Sequence, residues 1–212
     1  MAHFRFNEED HRYEVRARTG TTENGWRQIP SVTQVLEAAG LAPDFSFLDP
    51  FYLERGAAIH EAVALDLRGE LDWTSLDDRI RPFVEHARNW LDAIGATPLV
   101  VEFRWADKIH GYAGTLDLFC ESKLGPLLID WKAAHIDPAY AVQVAGGYEP
   151  LLLQAAEEGA VPVAPGDVRR ARIGIVNLKT EMPKVDWINR DNNVEIFRAA
   201  LAVTTWRTQH RS

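Results

Sequence analysis

The chain has 212 residues, 46% of them hydrophobic and 25% charged, a mixture that supports one folded domain, with no apolar run near the ~20 residues of a membrane-spanning helix. Its single cysteine, Cys120, excludes an internal disulfide and any cysteine-ligated zinc or iron–sulfur centre within one chain, and fits a reducing, cytoplasmic location. The net charge of −8 opposes binding a polyanion through bulk charge, which leaves either no such partner or an enzyme whose carboxylates are partly neutralised by metal inside a local basic rim.

The opening MAHFRFNEED has neither the cationic start nor the apolar stretch of a secretory signal. Alternation of Phe4/Phe6 and Tyr13/Val15 predicts a β-hairpin over 3–18, and TGTTENG reads as a loop. PSVTQVLEAAG, with Ser31 as cap and Gly40 as stop, predicts a short helix. A second helix runs from Asp49 to near Gly69. A third is expected over 75–95, where Ile80, Phe83, Val84, Ala87, Leu91 and Ile94 recur at helical spacing before Gly95. Strands are expected at 99–105, 114–120 and 127–133, joined by short Gly-containing connections as an antiparallel meander. PAYAVQVAGGYEPLLLQAAEEGA is helical, and Gly146, Gly147 and Pro150 must break or bend it. A fourth strand over 169–178 and a final helix capped by Asn192 or Asn193 complete the chain. The expected fold is therefore α+β, an α/β sandwich-like core of order αβββαβ at about 51–178, with an N-terminal hairpin and helix (1–40) and a C-terminal helix (191–209), in a single domain spanning 1–212.

Chemistry concentrates in the three middle strands. Asp130 and Lys132 lie two apart in LLIDWKA, so they share one strand face while Leu127, Ile129 and Trp131 take the other. A carboxylate and an ammonium in an apolar strand need partners; a simple ion pair near a strand end would also satisfy them. Asp117 interrupts the apolar run GTLDLFC one strand earlier, close enough in topology to lie beside Asp130. Two adjacent carboxylates either share a proton or hold a cation, and oxygen donors favour magnesium or manganese. Glu102 interrupts VVEFRW in the same way, unless it alternates outward with Arg104. His60 lies on a helix face with Gly56, Ala57, Val63, Ala64 and Leu67 and so points inward, as a core histidine or as a ligand, whereas Glu61, Asp66 and Arg68 can reach water.

The segments RGAAIHEAV, VEFRW, GYAGTLDLF, LLIDWKA and YAVQVAGGY, in that order, resemble the RecB-type branch of the PD-(D/E)XK nucleases. PSVTQVL is similar to the segment that opens the mitochondrial genome maintenance exonuclease and phage-encoded relatives. The resemblance covers roughly residues 28–178 and implies a restriction-endonuclease-like core, a central mixed sheet flanked by helices. It implies that His60, Asp117, Asp130 and the backbone carbonyl of Trp131 hold Mg2+ or Mn2+, that Lys132 orients or helps deprotonate the attacking water, and that Glu102 assists. Gln143, Tyr148, Arg55 and Lys108 are the expected substrate contacts. The chain departs from the family pattern at Gln143 and Tyr148, which are five apart rather than four and so would not share an α-helical face without a distortion, and at Ala133 and Ala134, where a hydroxyl residue is frequent. No cysteine set marks the iron–sulfur subgroup.

The implied activity is phosphodiester hydrolysis by an exonuclease on single-stranded DNA ends, in phage or prophage recombination, replication or repair, with DNA as partner and no membrane. A non-catalytic DNA-binding descendant of the fold and a restriction-type endonuclease are the alternatives. Arg169, Arg170, Arg172, Lys179 and Lys184 form a candidate phosphate rim or a solvated strand end. The seven tryptophans are spread along the chain, which favours packing over base stacking, and His135 reads as a loop residue.

Overall fold

The computed structural model describes residues 4–7, 12–16, 25–42, 49–134, 136–190 and 192–210. The alternating N-terminal segments form β1 (Phe4–Asn7) and β2 (Arg12–Arg16), paired antiparallel as expected. A strand not foreseen, β3 (Trp26–Ile29), pairs with β2 and makes the hairpin a three-stranded sheet. Its four residues WRQI carry no alternation long enough to read. The tip of the hairpin and most of the TGTTENG loop lie outside the described residues, as does His135.

Helix α1 (Val32–Ala39) starts at a reciprocal cap: Ser31 Oγ accepts from the Gln34 amide at 3.1 Å and the Ser31 amide donates to Gln34 Oε1 at 3.0 Å. Helix α2 (Pro50–Arg68) is capped by the Asp49 side chain, which accepts from the Phe51 amide at 2.9 Å. Helix α3 (Arg81–Ile94) begins later than the periodicity suggests, because the Asp77 carboxylate accepts from the Arg79 amide and holds that stretch in a turn. Next come β4 (Thr97–Asp107), β5 (Tyr112–Glu121) and β6 (Leu127–Lys132), the expected antiparallel meander.

The chain then crosses over through α4 (Ala139–Ala141), a π-helical segment (Val142–Tyr148), α5 (Glu149–Glu157) and α6 (Pro165–Arg170). It returns as β7 (Arg172–Asn177), parallel to β6. The strand expected from residue 169 thus starts at Arg172, because Pro165 opens a helical turn that takes in Arg169 and Arg170. β8 (Lys184–Ile188), also not foreseen, adds an antiparallel edge, and α7 (Asn193–Gln209) closes the chain. Asn192 precedes α7 but makes no side-chain cap bond.

The protein is therefore α+β, built on a mixed five-stranded sheet of order β4-β5-β6-β7-β8 with helices on both faces. Alternation along central β6 divides the core: Leu127, Ile129 and Trp131 pack with Ile59, Val63, Val84 and Trp90 of α2 and α3. Leu128 packs with Val32, Val144, Leu152 and Phe197 on the opposite face. The small sheet rests on the far ends of β4 and β5 through Tyr13, Val15, Ile29, Ala106 and Ala113. Among the described residues no helix is long and apolar enough to cross a membrane.

Candidate metal centre

β5 and β6 pair only from Leu118↔Ile129 to Cys120↔Leu127. One step further, where Asp117 would face Asp130, the strands part. A fork inside a sheet leaves ladder groups without partners, and Asp117 fills one of them: its Oδ2 accepts from the Trp131 amide at 2.8 Å. The same oxygen lies 3.2 Å from His60 Nδ1, so α2 docks against the fork through its imidazole. Register places Glu102 across from Asp117 on β4, between the pairs Val101↔Leu118 and Phe103↔Leu116. Glu102 takes φ +47°, a left-handed conformation that a non-glycine residue inside a strand adopts only when its surroundings impose it.

The outcome is a compact donor set. His60, Glu102 and Asp117 each offer one ligand atom, and these atoms lie within 4.8 Å of one another. Asp130, 2% exposed, stands beside them and pairs with Lys132, Nζ to Oδ2 2.5 Å. That Asp130 oxygen has no aligned hydrogen bond despite its burial. The Lys132 ammonium also lies 4.5 Å from the centre of the Tyr140 ring, a cation–π contact on its other side.

The electrostatics of five acidic and basic groups around one fork follow from this packing. Burial, with Asp117 nearby, pushes the Glu102 carboxyl up to about 7, and burial raises Asp130 as well, against the pull of Lys132. For Asp117 burial is outweighed by His60, Lys132 and the Trp131 amide, which hold it below the usual carboxylate range. His60 and Lys132 are both held above their ordinary values, since the neighbouring carboxylates outweigh burial. One imidazole nitrogen and several carboxylate oxygens crowded together, with protons retained where charge is in excess, form a donor set suited to a hard divalent cation.

Gln143 and Tyr148 meet despite their five-residue spacing. The segment between them is π-helical, with i→i+5 geometry that brings residues five apart onto one side. Gln143 Nε2 donates to the Tyr148 hydroxyl at 2.8 Å and to Thr33 Oγ1 at 3.2 Å. Tyr148 is thus a member of the cleft lining together with Gln143. Gly146 and Gly147 permit the distortion to pack: a Cβ on Gly147 would stand 2.5 Å from Val32 Cγ1, and one on Gly146 2.4 Å from the Asn193 carbonyl.

All of these groups open onto one cleft of about 1050 Å³, lined by His60, Glu102, Asp117, Asp130, Lys132, Gln143 and Tyr148. For Trp131, whose carbonyl was the expected ligand, the structure shows the amide donating to Asp117, while its ring is buried edge-on against Trp90. Two expected substrate contacts are not among the lining residues. Arg55 is folded over the rings of Phe51, Tyr52 and Phe83 at 5.1–5.9 Å, and Lys108 is exposed in the β4–β5 turn. Of the candidate rim, Arg169 and Arg170 are paired with Glu157 and Asp167, and Arg172 stacks on Trp187.

Sequence reasoning missed Thr33, Thr115, Arg68, Arg104 and Phe6, all of which line the cleft. Arg68 was legible, being two turns beyond His60 on the same helix, and so were Arg104 and Thr115, each two residues from Glu102 or Asp117 on the same strand; Thr33 and Phe6 come from distant elements with no local signal. No family model matches the chain, and no curated protein matches it.

Proposed function

We propose that this protein is a metal-dependent nuclease that hydrolyses DNA phosphodiester bonds with a centre of the PD-(D/E)XK type, acting on strands with free ends. The observation that supports it best is the convergence of His60, Glu102 and Asp117 within 4.8 Å beside the Asp130–Lys132 pair. These groups come from α2 and three successive strands, and a purely structural need would be met far more cheaply by apolar residues. His60, Glu102 and Asp117 would hold the cation, Mg2+ or Mn2+, with Asp130 alongside. When bound it would supply positive charge to the phosphate and acidity to a water molecule.

The protein's own groups supply the rest. Lys132, whose ammonium form Asp130 and Asp117 favour, would stabilise the negative charge that builds on the phosphate. Asp130 fixes the position of that ammonium. The Tyr148 phenol is held in its protonated form by burial. Its oxygen accepts from Gln143 and lies in hydrogen-bonding reach of Thr33, and the phenol lines the cleft, where it would meet the substrate. Gln143, anchored by Thr33, steadies Tyr148.

The test is cleavage of labelled linear, circular, single- and double-stranded substrates with Mg2+, Mn2+ or chelator. The parent should cut linear substrates only with metal, and Asp130→Ala and Lys132→Ala should each lower the rate by at least about a thousandfold while keeping the parent's circular dichroism. Undiminished cleavage by both variants, or none by the parent in either metal, sinks the proposal. Cutting of closed circles would select the restriction-type alternative.

A further inference from the structure

Lys132 ends β6 and lines the cleft. Its ammonium is a compact point charge on a flexible stem, so its place must be imposed by its neighbours. It meets Asp130 Oδ2 at 2.5 Å on one side, with the lysine side chain 14% exposed. On the other it faces the Tyr140 ring, 4.5 Å from Nζ to the ring centre. The Asp130 oxygen takes no aligned hydrogen bond, so that pair attracts the charge without fixing its direction. Ala133 and Ala134, next in the chain, bring no polar side chain to it.

The two contacts respond differently to a cation. A divalent ion beside Asp130 competes for the same carboxylate charge and repels the ammonium. The Tyr140 ring face offers no ligand oxygen to a hard cation, so its attraction for the ammonium persists. Local structure holds that ring in place. Asp137 Oδ1 accepts from the Ala139 amide at 2.8 Å, and the Tyr140 amide donates to the Asp137 carbonyl at 3.0 Å, which fixes the turn that opens α4. Ala139 is buried, and Tyr140 packs half-buried against the core cluster of Val142 and Val144. Among the described residues the Tyr140 hydroxyl makes no hydrogen bond; the ring face is what it brings to the site.

We propose that Tyr140 is the positioning residue of Lys132: its ring holds the ammonium in place at the cleft, and keeps it there when a cation draws on Asp130. The proposal rests on the nuclease reading for the reaction that this ammonium serves. Tyr140 touches no reacting atom and acts through Lys132 alone. A hold of this kind needs an aromatic face and no hydroxyl. Phenylalanine should therefore serve in its place, and leucine, which keeps apolar bulk without the ring, should not.

Proton magnetic resonance tests this apart from cleavage, because protons held over an aromatic face resonate upfield. The Lys132 ε-methylene signal, assigned by its absence in Lys132→Arg, should lie upfield of the other lysine signals in chelator and stay there in saturating Mg2+. Tyr140→Phe should keep both that shift and a kcat within about twofold of the parent. Tyr140→Leu should lose the shift and lower kcat about tenfold, the scale of a desolvated cation–π contact, with KM changed by less than about twofold. Both variants should keep the parent's circular dichroism. A Lys132 signal at the ordinary lysine position in the parent, an upfield shift that survives in Tyr140→Leu, or a parental kcat in Tyr140→Leu overturns the proposal. Cleavage by the parent with an unshifted signal would end the restraint and keep the nuclease reading; a shifted signal that Tyr140→Leu abolishes, without cleavage by the parent in either metal, would do the reverse.

Discussion

At the residue scale, Glu102 concentrates the cost of the site. Its backbone is left-handed, its side chain is half-buried, and Asp117 lies opposite. Such backbone strain is typically worth about 1–3 kcal/mol. Asparagine accepts a left-handed backbone and carries no charge, so Glu102→Asn should raise the melting temperature in chelator by about 2–6 °C and weaken metal binding severely. An unchanged or lower melting temperature would refute the strain. A pH effect follows from the same residue. The folded carboxyl, pushed up to about 7, lies above its unfolded value, so its contribution to apo stability is present below about pH 4.5 and lost as pH rises through 7. Cation binding must displace that proton, and the one that His60 holds more tightly than usual. Manganese affinity measured by calorimetry should therefore rise with pH, by at least about tenfold per pH unit below 7; flat affinity between about pH 5.5 and 8 would contradict this.

At the element scale, the π-helical segment joins the sequence to the site. Its fit depends on Gly147, whose missing side chain leaves room for Val32. Gly147→Ala should cost about 1–3 kcal/mol by overpacking, read in urea denaturation, and adding Val32→Ala should return much of it; additive losses would show that the contact is not the cause. Tyr148→Phe removes the bond to Gln143 and should cost about 1 kcal/mol while slowing cleavage more than it weakens oligonucleotide binding. What the sequence disclosed and what it hid divide along physical lines. The helices with clear apolar periodicity and the meander were legible, since each strand is an apolar run between turn residues. Asp117, Asp130, Lys132 and Glu102 stood out because charge inside such a run is costly. β3 and β8 were not legible: WRQI and KVDWI are short edge or near-edge strands whose pairing comes from the neighbour, not from their own pattern. Spacing by 3.6 residues separates Gln143 from Tyr148, and only tertiary packing of Gly146 and Gly147 against α7 and α1 makes the wider turn visible. Thr33 and Phe6 reach the cleft from elements far from it in the chain, which no local window can reveal.

At the scale of the whole molecule, the site lies where the two helical layers and the small N-terminal sheet meet the central sheet, so a cation held there would be thermodynamically linked to the fold. A cation that binds only the folded chain at a hundred times its Kd should add about 2.7 kcal/mol, or roughly 5–10 °C in melting temperature. His60→Ala and Asp117→Asn should abolish that increment, and a shift retained in both would place the cation elsewhere. The net charge of −8, which argued against a polyanion partner, extends into the cleft, where Arg68, Arg104 and Lys132 stand against Glu61, Glu102, Asp117 and Asp130; a polyanion would need a cation or retained protons to offset those carboxylates within a Debye length of roughly 10 Å. The parting of β5 and β6 has a last consequence, for inheritance. Because Asp117 terminates an open ladder as well as offering a ligand oxygen, selection for folding alone would retain a hydrogen-bonding side chain there. In descendants released from chemistry, positions 102 and 130 should drift toward apolar residues while 117 settles on asparagine or serine, so that the order of decay across these three sites would record which duty each one had.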